Sequence, residues 1–366
     1  MKVVIRVDAS LMIGSGHVMR CLVLADALAA RGACVRFVCR EHPGHLGALV
    51  VARGHAVSLL ATIADAPVAA HPAHAHWLGA NQESAAAATL AIVAQSGGAD
   101  LLVVAHYALD ATFERALRPA VGRIAVIDDL ADRPHDCDVL LDQNHGRDHA
   151  AYDGLVPKSA TICVGPTWAL LRPEFSAHRT NSLRRRGEGT FRTILVSMGG
   201  GDAMGLTSRA LDALSHCRLE PSASIRVVLG PLAANRRVIA NRAEQMPVPT
   251  TVLFGISGMA EEMAAADLAI GAGGTTSWER CCLGLPAVVS PVADNQREII
   301  RELVDIGAVR SVPPDDRYEL ALKSELEWLL GDPWRLTDMS RCAAALCDGE
   351  GAIRFVDLIQ REGTQQ

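Results

Sequence analysis

The 366-residue chain is 49% hydrophobic and 21% charged, with a formal net charge of −6. This is a globular composition, long enough for two cores, and it leaves no basic stripe able to track a nucleic-acid backbone. Lys2, Arg6 and Asp8 interrupt the amino-terminal apolar run. No segment approaches about 18 uninterrupted apolar residues, so neither a signal peptide nor a membrane span is expected, and the protein is read as cytoplasmic.

Taken in chain order, Val/Ile/Leu-rich runs alternate with Ala/Leu helical patterns, which predicts an α/β fold with parallel sheets. The expected strands of the first half are 3–7, 35–39, 101–104, 123–127, 139–141 and 161–164, with helices over 17–31, 84–95 and 110–117. Residues 63–80, rich in Ala and His, read as a surface loop. The stretch "SAHRTNSLRRRGEGTF", 176–191, loses apolar periodicity and gains charge, so a linker is expected there. A second series follows, with strands 193–197, 224–229, 250–253, 268–270 and 287–290. Its helices are 204–215, around 234–244, 259–265, 276–283, 295–306 and a helical region from 318 onward. The expected organisation is a domain over 1–175, the linker, a domain over 192–340, and a helical segment over 341–366 that packs back on the first domain. Two doubly wound parallel-sheet domains facing across a cleft would place ligands outside the carboxyl ends of their strands.

Three glycine turns fall at strand-to-helix joints: Gly14-Ser15-Gly16-His17, Gly199-Gly200-Gly201-Asp202 and Gly271-Ala272-Gly273-Gly274-Thr275-Thr276. Glycine admits close backbone approach, and a following helix N-terminus favours an anion such as a diphosphate. Each turn alone is equally what a tight βα connection requires. The first lacks a third glycine at Arg20 and so is no dinucleotide fingerprint, and no GK[ST] follows to make a P-loop. His17 therefore either caps the helix or serves as a base that the helix dipole keeps neutral. Glu279, one turn into the helix after the third loop, is either a capping partner or an acceptor for ribose hydroxyls.

The ten cysteines are scattered, with no CxxC pair, and read as buried apolar residues of a reducing compartment. His71, His74 and His76 lack nearby Cys, Asp or Glu, and read as loop residues without a metal.

Five segments together carry a resemblance: "RVDASLMIGSGHVMRCLVLADAL" (6–28), "VIDDLADRPHDCDVLLDQN" (126–144), "LVPKSATICVGPTWALLRPEF" (155–175), "ILVSMGGGD" (194–202) and "GAGGTTSWERCCLGLPAVV" (271–289). The chain resembles the UDP-2,4-diacetamido-2,4,6-trideoxy-β-L-altropyranose hydrolases of pseudaminic acid biosynthesis. That group is similar to the MurG-like glycosyltransferases of the GT-B fold, with two Rossmann-like domains. The resemblance implies hydrolysis of the UDP-sugar to UDP and free sugar, with anomeric C–O cleavage and inversion. Helix dipoles and hydroxyls can neutralise the diphosphate, so neither metal nor cofactor is expected. It implies His17 as the proton acceptor that activates water, Glu279 at the ribose, and Thr275 and Thr276 at the diphosphate. Gly14, Gly16, Gly199 and Gly200 would approach the substrate, Tyr107 and Asn295 would face the sugar, and a basic residue within 181–186, taken as Arg184, would contact it. The expected partner is the small-molecule UDP-sugar alone, and the sequence leaves the oligomeric state open, a monomer being one option. One departure stands out: the family reads DHY where this chain has Ala105-His106-Tyr107, so a carboxylate is missing from that position. A GT-B glycosyltransferase and a non-catalytic UDP-sugar-binding protein remain open from sequence.

Overall fold

The computed structural model describes all residues except 64–69, 188–190, 201, 203, 231, 232, 234 and 363–366. Gly201 of the second glycine turn, residue 234 of an expected helix, 64–69 of the expected surface loop and 188–190 of the expected linker thus lie outside the described residues. The chain forms two units, Met1–Leu170 with Glu350–Gln366, and Leu171–Gly349.

The first unit runs β1 (Lys2–Val7), α1 (Gly16–Ala29), β2 (Cys34–Arg40), α2 (Gly47–Ala52), β3 (Ala56–Leu60), α3 (Gln82–Gln95), β4 (Ala99–Ala105), α4 (Ala111–Leu117), β5 (Val121–Ile127), β6 (Val139–Asp142) and β7 (Thr161–Val164). All strand pairs are parallel, in the order β3-β2-β1-β4-β5-β6-β7. Both faces are covered, which is why the strands read as continuous apolar runs without alternation. Val3, Ile5 and Val7 of β1 enter one core cluster with Leu22 and Leu28 of α1, while Val4 enters another with Phe113 and Leu117 of α4. Arg6, fully buried, is held by Asp8 at 2.5 and 2.8 Å.

The second unit runs α5 (Pro173–Gly187), β8 (Thr193–Ser197), α6 (Leu206–Ser215), β9 (Ser224–Leu229), α7 (Arg236–Ala243), β10 (Thr250–Phe254), α8 (Met259–Ala265), β11 (Leu268–Ala272), α9 (Thr276–Cys282), β12 (Ala287–Ser290), α10 (Gln296–Asp305), β13 (Val309–Ser311), α11 (Tyr318–Leu330) and α12 (Pro333–Ala344). Its sheet is parallel, in the order β10-β9-β8-β11-β12-β13. The last helix, α13 (Gly351–Glu362), belongs to the first unit, where Phe355, Val356 and Ile359 join the core cluster that holds α1.

The stretch expected to be a linker is helical through residue 187 and part of the second unit. Several of its polar side chains are turned inward onto main-chain carbonyls. Arg186 donates to the carbonyls of Gly284 and Met263, each at 2.9 Å, Arg179 to those of Cys347 and Ala344, each at 2.8 Å, and Ser182 to Leu283 at 2.7 Å. Cationic side chains that tie down helix-terminal carbonyls look like a solvated run in sequence, because the acceptors are main-chain atoms far along the chain. Two edge strands, β3 and β13, and the helix α2 are further elements that periodicity did not predict. Among the described residues no helix is long and apolar enough to cross a membrane.

Candidate active site

In a doubly wound sheet the ligand crevice lies where the strand order reverses, outside the carboxyl ends. In the first unit that point is between β1 and β4, where Val7 pairs with Ala105. The loop after β1 is folded by Ser10, whose hydroxyl accepts N–H bonds from Met12 at 3.1 Å and Ile13 at 2.9 Å, and whose carbonyl accepts from Gly14 at 2.8 Å. Gly14 has φ +79°, the conformation that requires glycine there. Gly16 opens α1, and His17, buried, is its second residue.

The ring of His17 does not cap the helix. Its Nδ1 lies 3.1 Å from Nη2 of Arg20, one turn on. Arg20 in turn grips both carboxylate oxygens of Asp129, at 2.9 and 2.7 Å, and the Tyr107 hydroxyl donates to the same carboxylate at 3.1 Å. Tyr107 closes the circuit by meeting the His17 ring edge-on, with centroids 4.4 Å apart. A guanidinium only donates, so Nδ1 must be the unprotonated nitrogen, and the neutral ring carries its hydrogen on Nε2. Burial, followed by the positive charge of Arg20 and with Arg133 adding to it, holds the His17 pKa well below its ordinary value. Tyr107 is pushed well above the usual phenol range, first by burial and then by Asp129.

The segment "VIDDLADRPHDCDVLLDQN" supplies the support under this circuit. Arg133 binds Asp128 at 2.8 Å and the Leu109 carbonyl at 2.8 Å, and its guanidinium lies 5.8 Å from the Tyr107 ring centroid. Asn144 donates to the main-chain carbonyl of Asp129 at 3.0 Å. Tyr152 donates to Asp142 at 3.0 Å, and Asp142 is pushed up to about 7 by burial and by Asp129.

Ala105 is buried at the end of β4, and a carboxylate reaches the same sheet edge from the neighbouring strand. Asp8 lies 3.1 Å from Nε2 of His106, whose Nδ1 accepts from the Ala108 N–H at 3.1 Å. The pair is therefore oriented as Nε2–H toward Asp8, and Arg6 beside Asp8 holds that carboxyl far below the usual range against its burial. The described part of the expected surface loop also differs from expectation. Trp77 stacks with Tyr107 at 5.8 Å between centroids, and His74 lies 4.5 Å from Trp77 and 5.3 Å from Tyr107. Residues 74–77 thus wall the His17 site. Among the described residues no group of three or more His, Cys, Asp or Glu is arranged to hold a metal ion.

In the second unit the strand order reverses between β8 and β11, and the two remaining glycine loops follow these two strands. Gly199, exposed with φ +86°, and Gly200 follow β8. A Cβ on Gly230 would stand 2.3 Å from the Gly200 carbonyl oxygen, so it is Gly230 that allows the loop its path. The N-terminus of α6 beyond it already holds an anion. Asp202 accepts from the N–H groups of Leu206 at 2.8 Å and Thr207 at 3.1 Å. The third loop is different, since Thr275 precedes α9 without a side-chain cap and is exposed. Thr276 accepts weakly from Arg280 at 3.4 Å, and Arg280 fixes the loop through the Ala272 carbonyl at 2.8 Å.

Glu279 lies 3.7 Å from Arg172, which is bound at 2.7 Å to Glu174. Burial raises the Glu279 carboxyl to about 7, against the opposing pull of Arg172 and Arg280. Asn295 is exposed at the start of α10, beyond β12, and thus shares the same sheet end. Arg184 does not join this group. It is exposed and bonded to Asn181 at 3.1 Å, and its neighbour Arg185 binds Asp267 at the amino end of β11. The arginine beside Glu279 is Arg172, at the other end of α5 and inside the "LRPEF" segment. A cavity of about 300 Å³ in this unit, lined by Phe191, Asp267 and Pro286, lies at the amino ends of the strands, away from the glycine loops.

No family model matches the chain. It is 26% identical over 211 residues to the spore coat polysaccharide biosynthesis protein SpsG of Bacillus subtilis, covering 56% of this chain and 60% of that one. It is 26% identical over 220 residues to the UDP-2,4-diacetamido-2,4,6-trideoxy-β-L-altropyranose hydrolase of Campylobacter jejuni, covering 60% of this chain and 68% of that one. Among solved structures, MurG of Acinetobacter baumannii superposes over 98% of this chain and 99% of its own, with a TM-score of 0.72 at 18% identity. The fold is GT-B, and the chain is related to nucleotide-sugar enzymes of that fold.

Proposed function

We propose that the protein is a nucleotide-sugar hydrolase that cleaves a UDP-linked 2,4-diacetamido-2,4,6-trideoxy hexose to UDP and the free sugar, with inversion at C1. The observation that carries this reading is His17, a neutral imidazole at the switch point of the first unit, clamped by Arg20 and Tyr107. Similarity to the hydrolase of Campylobacter jejuni supports the choice of substrate.

The diphosphate would lie at the third glycine loop, with Thr275 and Thr276 as hydroxyl donors and the uncapped start of α9 facing it; the backbone of Gly199 and Gly200 would line the neighbouring edge. Glu279 would accept the ribose hydroxyls, positioned by Arg172. Gly14 and Gly16 would admit the sugar to the His17 loop, with Tyr107 toward it. UDP is a stabilised leaving group, so C1–O heterolysis gives an oxocarbenium-like centre without a dedicated acid, and the bond's electron pair leaves with the phosphate. Water adds to the opposite face of C1 as His17 takes its proton.

The reading is tested by UDP release from the UDP-sugar in the presence of EDTA. Turnover is expected to persist under chelation and to fall about 100-fold or more in His17→Asn. Loss of turnover on chelation, or full activity of His17→Asn, contradicts the reading. The fold shared with MurG favours one second reading, a glycosyltransferase in which the same histidine deprotonates a sugar hydroxyl. That reading predicts UDP release only when an acceptor is added.

A further inference from the structure

We propose that Arg20 is a positioning residue that holds His17 in reserve: anchored on Asp129, its guanidinium occupies the ring's lone-pair nitrogen, and His17 accepts a proton only after substrate has drawn Arg20 away. This rests on the reading of His17 as the base. A neutral imidazole has one basic nitrogen, and in the free protein that nitrogen is Nδ1, 3.1 Å from Nη2 of Arg20. Nε2 carries the hydrogen and has no protein hydrogen-bond partner among the described residues. The ring as it stands is therefore a donor.

The anchor explains why Arg20 stays in place without a substrate. Its bond pair to Asp129 is buried, with side-chain exposures of 5% and 12%, and Asp129 is steadied in turn by the Tyr107 hydroxyl. Nη1 makes both contacts to Asp129, while Nη2 reaches the imidazole. The guanidinium can thus keep its carboxylate while Nη2 exchanges the imidazole for a substrate oxygen, a stronger acceptor if that oxygen is anionic. When it does so, Nδ1 takes the proton of the attacking water while Nε2 keeps its own. The O–H bond breaks toward Nδ1, the water oxygen bonds C1, and the C1–O electron pair departs with UDP. The base is thereby exposed only when the site is occupied.

The groups facing the ring are Arg20 from α1, His106 and Tyr107 after β4, Arg133 after β5, and His74 and Trp77 from the segment before α3. Of these only Arg20 bonds a ring nitrogen. Long-range 1H–15N spectra of the wild-type protein test the arrangement with no variant and no turnover. The expected result is a protonated-type Nε2 and an unprotonated, hydrogen-bonded Nδ1 for His17; a protonated Nδ1 overturns the proposal. Arg20→Met is expected to leave a mixture of tautomers and to move the acid limb of kcat/KM upward by about one pH unit, through loss of the adjacent cation. Arg20→Lys is expected to return the limb toward wild type. An acid limb unmoved in Arg20→Met, with the fold intact by melting, also overturns it. The two readings fail separately: the Nε2–H tautomer without any UDP-sugar turnover removes the hydrolase reading alone, and turnover with a protonated Nδ1 removes the Arg20 reading alone.

Discussion

Glu279 is the residue whose environment predicts the plainest pH signature. Its folded carboxyl titrates near 7 against an ordinary 4.5, so the native state holds a proton that the unfolded chain has released. The associated stability is full below about 4.5 and is lost as pH rises through about 7, at most about 3 kcal/mol. Thermal melts of Glu279→Gln are expected to lack that decline. The same substitution is expected to weaken UDP binding about tenfold above pH 7, where a charge-assisted acceptor is lost, as calorimetry would show. Arg172→Met is expected to lower kcat/KM by about tenfold, whereas Arg184→Met, on an exposed helix face, stays within about twofold. His17 stood out in the sequence because a glycine turn at a strand-to-helix joint advertises itself. Its clamp did not, since Arg20, Asp129 and Tyr107 come from three separate joints, and only the sheet order brings them together. Ala105 was legible as a missing carboxylate, but its neighbour Asp8 was not legible as one at the same sheet edge, because the β1–β4 register is not written in either strand alone.

At the level of elements, the third glycine loop depends on close packing against α10. A Cβ on Gly273 would fall 2.3 Å from Cδ1 of Ile300. Gly273→Ala is expected to lower stability by about 1–3 kcal/mol in denaturant melts, and adding Ile300→Ala is expected to recover part of the loop's function at a further cost in core packing. Asp202→Ala removes the cap of α6, at about 1 kcal/mol, and frees two N–H groups beside Gly199 and Gly200. The central strands were readable because burial on both faces leaves uninterrupted Val, Ile and Leu. The edges were not. β3 fully buries only Leu60 and includes Ser58, and β13 has three residues, so neither carries enough of a pattern to separate strand from loop. Helix α5 was hidden by its own arginines, of which Arg179 and Arg186 find main-chain carbonyls up to 168 residues away.

For the molecule as a whole, two parallel sheets with reversals at β1–β4 and β8–β11 set the chemistry-bearing residues at the carboxyl ends of their strands. The alternation of strands and helices made that architecture legible before any motif was weighed. At its end the chain returns to the first unit, with Phe355 and Ile359 in the core beside α1. In the proposed reaction water is the acceptor at His17. Proton NMR of the purified protein with the UDP-diacetamido-trideoxy hexose, in EDTA and with no added acceptor, tests it most directly. Stoichiometric UDP and free sugar are expected, the first-formed anomer inverted at C1. UDP appearing only when an acceptor is supplied would contradict the proposed reaction.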